Sequence, residues 1–188
     1  MAESFFIRKT VNINHDNSYN EAAIDLGAYV DALSSTVLTI HRVDVAFTDS
    51  SGRALSMVTA DTASVAQFQL LTQTQQDIVR LDNKALICSG KIESYTPSTA
   101  SSPLAAISTT AYDIAPQSFT NGYIVATENI YLGGSASTNF AGNVYVSVMI
   151  EASVTKMTQN KAMSLALSQQ WGGSFVRYMQ HTTAIAHW

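Results

Sequence analysis

The most regular hydrophobic pattern in the chain lies between residues 143 and 156. Apolar side chains occupy every second position there: Val144, Val146, Val148, Ile150, Ala152 and Val154. Polar residues fill most of the positions between them, and Met149 is the one apolar exception. Because successive side chains of a strand point to opposite faces, this period of two predicts one long strand with a buried face and a wetter face. Mean strands are about half as long, so we expect it to cross a whole sandwich or barrel.

Similar patterns predict further strands. The clearest runs over residues 36–48, where both faces are partly apolar. The other predicted strands are residues 5–14, 23–30, 55–58, 65–71, 78–81 and 84–92. In the second of these, Gly27 marks a bulge or bend. Polar clusters separate the runs, as turns do between strands.

Two dipeptides that contain glycine predict turns late in the chain. Asn121-Gly122 is a strong hairpin signal, because glycine tolerates the positive φ that such turns need. This hairpin would join residues 118–119 to residues 123–127. A second short apolar run, residues 130–132, is predicted to end at Gly133-Gly134.

The pattern changes after Lys156. Thr158 can cap a helix over residues 159–170, which Trp171-Gly172-Gly173 would end. Four side chains share one face of that helix: Ala162, Leu165, Ala166 and Gln169. Residues 175–188 are rich in aromatic side chains and fit either a second short helix or a terminal strand.

Many short strands rich in Val, Ile and Thr, with polar turns, predict an all-β sandwich or barrel. A jelly roll of about eight strands in two sheets fits both the strand count and the length of 188 residues. We therefore assign residues 1–158 to a jelly-roll β-sandwich. Residues 159–188 form a C-terminal helix and tail, predicted to be a subunit contact.

Charge is sparse on this chain. Charged residues make up 13% of it, about half the usual share of roughly 25%. The formal net charge is −4, and Arg8-Lys9 is the only adjacent basic pair, so the sequence argues against direct binding of nucleic acid. A polar but weakly charged surface fits a shell or fibre subunit, and equally a neutral extracellular or halotolerant sandwich.

Candidate chemistry is thin. Cys88 is the only cysteine and lies in an apolar run, so the sequence predicts a packing role and no intrachain disulfide. The histidines are His15, His41, His181 and His187, and none has the spacing of a metal site. No nucleophile-elbow motif is present. We predict no catalytic, metal or cofactor-binding residues. A hydrolytic enzyme would need His41 or His181 to meet a Ser and an Asp in space.

The N-terminal residues lack a signal-peptide core, and no apolar run is long enough for a membrane-spanning helix. We therefore expect synthesis in a cytoplasm. Aromatic and methionine side chains, which are enriched in the cores of subunit interfaces, collect near the C-terminus. The predicted interface residues are Trp171, Phe175, Tyr178, Met179 and Trp188, with Phe5 and Phe6 near the start.

A family resemblance rests on residues 23–30, the alternating strand after Ser35, the turn at residues 129–134, and the final Val- and Thr-rich strand with its tail. In size and pattern the chain resembles the single jelly-roll major capsid proteins of icosahedral DNA viruses of archaea and bacteria. The resemblance covers most of the chain. It implies self-assembly into capsomers through strand edges, loops and termini, without an active site or cofactor. It also implies location in the virion, and it leaves room for a second capsid protein and an internal membrane.

The first hypothesis is thus a structural virion protein that forms a capsid or related shell from copies of itself. The alternative is a non-enzymatic β-sandwich binding module, such as a lectin-like domain or a tail-fibre or receptor-binding domain. Exposed aromatic side chains grouped on one face would favour the alternative.

Overall fold

The computed structural model describes residues 3–31, 33–59, 61–95, 104–105, 108–112 and 117–171. The strands are β1 Ser4–Asn12, β2 Asn20–Asp25, β3 Thr36–Thr48, β4 Ser56–Met57, β5 Ala63–Leu71, β6 Leu86–Tyr95, β7 Leu104–Ala105, β8 Ser108–Tyr112, β9 Gln117–Val125, β10 Asn129–Ala136 and β11 Tyr145–Lys156. One helix, α1, spans Gln159–Trp171 within this described part.

Two antiparallel sheets form a sandwich. The first sheet has the order β1-β11-β3-β9, and the second has the order β2-β10-β5-β6-β8. The pairing is nested: β1 pairs with β11, β2 with β10, β3 with β9, and β5 with β6. A long antiparallel ribbon rolled onto itself gives this order, which is the jelly roll. The predicted fold class is confirmed. A small additional pair, β4-β7, lies outside the two sheets.

The core lies between the two sheets and is filled from both. Among its largest fully buried side chains are Phe68, Phe140, Ile13, Leu38, Ile40 and Ile150. Phe47 meets Phe68 edge-on, with ring centroids 6.1 Å apart, a favourable aromatic geometry. The alternating residues of β11 point into this core as predicted, up to Ala152.

Val154 departs from the prediction for β11. It is 36% exposed, although the alternation places it on the buried face. Opposite Glu151 and Ala152 the partners in β3 skip from Arg42 to Ile40, so His41 is an extra residue and a bulge of β3 interrupts the ladder. Bulges bend and twist a strand locally, and the last residues of β11 leave the core.

The predicted hairpin at Asn121-Gly122 is wrong. β9 runs through both residues, and its pairing with β3 jumps from Ile40↔Tyr123 to Arg42↔Ser118. Four residues of β9, 119–122, therefore bulge out opposite the single residue His41. Gly122 has φ of 73°, and a Cβ at that position would overlap the Thr39 side chain. Bulges and hairpins both use the positive φ of glycine, so the dipeptide alone does not distinguish them.

Three other predicted strand limits need correction. Residues 78–81 are not a strand but belong to the connection between β5 and β6. The strand predicted over residues 23–30 ends at Asp25, because the chain then turns and the amides of Tyr29 and Val30 donate to Leu26 O. β10 continues through its glycine pair to Ala136.

α1 confirms the helix prediction almost residue for residue. Ala162 is fully buried, and it packs with Val37 and Ala126. Leu165 and Ala166 lie partly buried against the same cluster, and Gln169 is 6% exposed. The predicted helical face is therefore the face that covers one end of the sandwich.

Candidate assembly surfaces

β1 sends its two phenylalanines to opposite sides, as alternation requires. Phe5 points inward, stacks on Tyr29 with ring centroids 4.6 Å apart, and packs against the core. Phe6 points outward and is 50% exposed, and the Arg8 guanidinium lies 5.6 Å from its ring centroid. Of this predicted interface pair, only Phe6 is presented on the outer surface of the sheet. The interface role itself stays a prediction.

The outer face of the first sheet carries balanced charges around an apolar centre. The ladder places Arg8 beside Met149, and Met149 beside Asp44. Glu151 pairs with Arg42 in the next row, and Arg42 donates to Asp44 at 2.8 Å. A shallow cleft of about 280 Å³ opens over Met149. Mixed charges around an apolar spot can match a copy of the same patch across a two-fold axis.

Free sheet edges offer a second kind of contact. In the described part of the chain, β1 and β9 border the first sheet, and β2 and β8 border the second. Edge strands present unpaired backbone groups that another chain can pair with. β9 is bent by its bulge, whereas β1 runs in unbroken register from Ser4 to Asn12. β1 is thus the straighter of the two edges of the first sheet.

Most of the predicted C-terminal interface residues lie outside the described part of the chain. Trp171 is the last residue of α1; Phe175, Tyr178, Met179 and Trp188 lie outside the described residues. The predicted interface residues do not include Met163 and Leu167, which are 41% and 55% exposed on the helix. They are one turn apart and face away from the buried stripe, and this spacing was visible in the sequence.

The second sheet carries a buried polar network that sequence reasoning missed. Gln69 is fully buried; its amide donates to Asp77 O at 3.0 Å and accepts from Val79 N at 2.8 Å. The Glu21 carboxylate accepts from Tyr19 Oη at 2.9 Å and also from Thr74 Oγ1. These bonds hold the β5–β6 connection against the outside of the sheet. Tyr19 and Glu21 are two residues apart, but the contact that joins them to the β5–β6 connection comes from Thr74, 53 positions from Glu21. No local motif signals that contact.

Gly133 makes room for that network. A Cβ at Gly133 would overlap the Tyr19 ring and lie 2.9 Å from Glu21 Cβ. The Tyr19 side chain therefore rests directly on the β10 backbone. Its burial raises the pKa of the Tyr19 hydroxyl above the usual value.

The histidines do not assemble a catalytic site among the described residues. His41 Nε2 lies 2.8 Å from Ser153 Oγ. The histidine is half-buried at the bulge of β3. No carboxylate bonds His41 in the described chain, so this pair lacks the acid of a triad. His15 Nδ1 meets Asn143 Oδ1 at 2.7 Å on the surface. His181 and His187 lie outside the described residues.

Cys88 packs as predicted, and it is 5% exposed in the core. Burial raises the pKa of its thiol to about 12, which keeps it protonated at neutral pH. Across the residues that the structure covers, no three His, Cys, Asp or Glu side chains group as metal ligands. No helix in that part of the chain is long and apolar enough to cross a membrane.

A scan of the sequence against protein-family models found no match, and a search of curated proteins found none either. Among solved structures, the chain is similar to VP1 of Trichodysplasia spinulosa-associated polyomavirus in complex with GM1 oligosaccharide. The TM-score is 0.43 at 8% identity, over 82% of this chain and 96% of that chain. It is also similar to Merkel cell polyomavirus VP1 in complex with disialyllactose, with a TM-score of 0.40 at 8% identity, over 81% and 96% of the two chains. The jelly-roll assignment rests on the strand order of this chain itself.

Proposed function

We propose that this chain is a structural virion protein, a capsid subunit that assembles with copies of itself. The observation that carries the proposal is the complete nested strand order, with β1 on β11, β2 on β10 and β3 on β9. Proteins use double-sheet jelly rolls in viral capsids, and also in lectins and cupins. The choice among these uses depends on the surface.

Sparse charge supports the capsid use. Only 13% of the residues are charged, whereas an isolated soluble domain gains colloidal stability from a surface of about 25–35% charged residues. A subunit that buries much of its surface against neighbours has less need of that repulsion. The outer face of the first sheet also pairs its few charges with one another instead of presenting one sign.

Three of the exposed large apolar side chains lie in connections between strands. Leu33 is 72% exposed between β2 and β3, Val58 is 52% exposed after β4, and Leu81 is 83% exposed between β5 and β6. Scattered exposed apolar residues are ordinary on monomers, so the support comes from their place. All three occupy connections between strands, which are the parts that capsid subunits would use for contacts under this proposal.

The finer parts of the proposal follow from the resemblance and the charge. Under this proposal the chain is a major capsid protein of an icosahedral DNA virus of archaea or bacteria. It is made in the host cytoplasm and located in the virion. The protein would have no enzymatic role and, at a net charge of −4, no direct hold on nucleic acid. A second capsid protein and an internal membrane are compatible partners.

Mass photometry and negative-stain electron microscopy of the purified full-length chain test the proposal. We expect rings, sheets or shells that grow with protein concentration. A chain ending at Gln170 keeps every described strand and removes the aromatic tail, so loss of assembly in this variant would place the contact there. A full-length Phe175→Ser/Tyr178→Ser variant separates the effect of side chains from that of length. A full-length protein that stays a monodisperse monomer at high concentration would contradict the proposal.

A further inference from the structure

A polar cleft of about 310 Å³ opens where the C-terminal end of α1 meets the second sheet. Its walls come from the start of the β5–β6 connection, the β9–β10 turn, β10 and α1. Residues from these four elements include Thr72, Thr74, Thr127, Glu128, Tyr131 and Gln170. Neither the capsid proposal nor the buried network on the second sheet accounts for this cleft.

The threonine hydroxyls of the cleft already have their protons engaged within the protein. Thr127 Oγ1 donates to Asn129 O at 2.9 Å, and Thr74 Oγ1 donates to the Glu21 carboxylate. Thr72 Oγ1 has carbonyl acceptors at 3.4 Å on either side. Thr72 and Thr127 are only 3% and 4% exposed, whereas Thr74 is at an exposed position. A hydroxyl has one proton and two lone pairs, so Thr74 Oγ1 can still accept a bond. The cleft therefore offers acceptors to a ligand that brings donors.

The charge of the cleft is a single carboxylate. Glu128 lies at an exposed position of the β9–β10 turn, and no lysine or arginine is among the lining residues. An anionic ligand would meet this carboxylate without a compensating cation. The amides of Asn129 and Gln170, also at the cleft, can both donate and accept.

Tyr131 adds an aromatic surface. In the ladder it lies between Ala23 and Leu71, on the outward face of β10, and it is only partly buried. A tyrosine presents an apolar ring face together with a polar tip. Its ladder partner on β2 is the small residue Ala23.

The walls are fixed before any ligand arrives. The carbonyl of Gln169 accepts from the Thr72 hydroxyl and the Gln73 amide. The Gln169 side chain bonds the backbone at the end of β9. Both sides of the cleft are thereby held to the same helix residue, and a preformed site loses less entropy on binding.

We propose that this cleft binds a neutral saccharide, as one ring or a disaccharide. Saccharide hydroxyls donate to Thr74 Oγ1 and to Glu128, and they accept from the amides of Asn129 and Gln170. One apolar face of a sugar ring rests on Tyr131. The volume is at the lower end of the roughly 300–1,000 Å³ of ligand pockets, which suits a small sugar. The proposal does not depend on shell formation.

Saturation-transfer difference NMR with the full-length chain tests it, using galactose, glucose, N-acetylglucosamine, lactose and 3′-sialyllactose as probes. We expect at least one neutral sugar to bind and sialyllactose to bind more weakly than lactose. Glu128→Gln keeps the shape of the side chain and one acceptor oxygen but removes the charge. It should weaken binding about tenfold, as expected when a hydrogen bond to a charged group becomes one to a neutral group. Tyr131→Leu keeps apolar volume but removes the ring, and should also weaken binding.

Glu151→Gln and Tyr145→Leu are matched controls on the first sheet, and they should bind like the unaltered chain. Thermal melting of each variant shows whether it is folded, so Glu128→Gln decides the matter if Tyr131→Leu is unstable. Absence of binding by every neutral probe at millimolar concentration would overturn the proposal. Binding that Glu128→Gln leaves unchanged, or a preference for sialyllactose over lactose, would overturn it too.

Discussion

Gln169 in α1 completes the hydrogen bonding of Ala126 at the end of β9. Its Oε1 accepts from Ala126 N at 2.9 Å, while its Nε2 donates to Ile124 O at 2.7 Å. One side-chain amide thus bonds the backbone as a neighbouring strand would, at the end of the edge strand β9. Because Ala126 and Gln169 are both buried, this bond ties the helix to the sandwich through groups that water does not reach.

Replacing Gln169 should therefore destabilise the fold. Gln169→Ala leaves the Ala126 amide and the Ile124 carbonyl without their partner, and we expect a loss of about 2–3 kcal/mol in the free energy of unfolding. Gln170→Ala, at the exposed neighbouring position, is the control and should change stability by less than about 0.5 kcal/mol. Urea titration followed by circular dichroism measures both. Equal stability of the two variants would show that the pairing contributes nothing.

Gly133 offers a second test, on the other sheet. Gly133→Ala introduces a Cβ into the Tyr19 ring, so the ring must swing away from Glu21, and we expect a loss of about 1–3 kcal/mol. Gly142→Ala is the control, because nothing lies within 4 Å of a Cβ there. Adding Tyr19→Ala to Gly133→Ala should make the two effects non-additive. Additive effects of the two substitutions would contradict the contact.

The contacts of Gln169 and of Gly133 show what hydrophobic periodicity can predict and what it cannot. The helix face with Ala162 and Gln169 was visible in the sequence, because a spacing of three and four residues places these positions together on any α-helix. The acceptors and donors of Gln169 were not visible, since they lie 43 to 45 positions away. The Glu21 network and the polar cleft were hidden for the same reason: each gathers side chains from distant strands.

Local chemistry was ambiguous where two structures share one requirement. Asn121-Gly122 supplies the positive φ needed by a hairpin and by a bulge. The bulge forms because the segments before and after this dipeptide both pair with β3, on either side of His41. Residues 78–81 have the apolar content of a strand, but Gln69 takes up Val79 N and leaves that segment as a loop. In both cases a residue on another strand decided the outcome. The hydrophobic pattern of one segment does not contain that information.

Acid should destabilise the protein through its loops. Hydrogen bonds from residues two to four positions further along the chain lower the pKa of Asp16, Asp31 and Asp49 below the ordinary 3.8. A carboxyl with a lowered pKa in the folded state contributes stability above its unfolded pKa, and this contribution is lost as the pH falls through the folded value. These three groups should therefore have little effect on the pH dependence of stability between pH 7 and 5, and should reduce stability below about pH 4.

An Asp16→Asn/Asp31→Asn/Asp49→Asn variant tests this dependence. Asparagine keeps an oxygen acceptor for each loop but removes the titrating group. Urea midpoints measured from pH 7 to pH 2.5 should fall less steeply for the variant than for the unaltered chain. Parallel curves would mean that other carboxyls control the acid response.

Cys88 should be unreactive in the native protein. A pKa of about 12 leaves almost no thiolate at pH 8, and the thiolate is the nucleophile. We expect labelling by 5,5′-dithiobis(2-nitrobenzoate) only when denaturant unfolds the chain. Ser89→Cys in a Cys88→Ala background places the thiol on the outer, half-buried face of β6 and should label in the native state. Fast native labelling of Cys88 would contradict its burial.

The exposed face of α1 should contribute to assembly without contributing to folding. Met163 and Leu167 are 41% and 55% exposed, so Met163→Ser/Leu167→Ser removes little buried surface and should change stability by less than about 1 kcal/mol. If a neighbouring subunit covers this face, mass photometry should show smaller assemblies at equal concentration, because apolar contact area is lost. Asn160→Ser/Lys161→Ser alters exposed polar positions of the same helix and should assemble normally. Assemblies of unchanged size in the first variant would remove α1 from the contact surface and leave strand edges and loops as the regions to test.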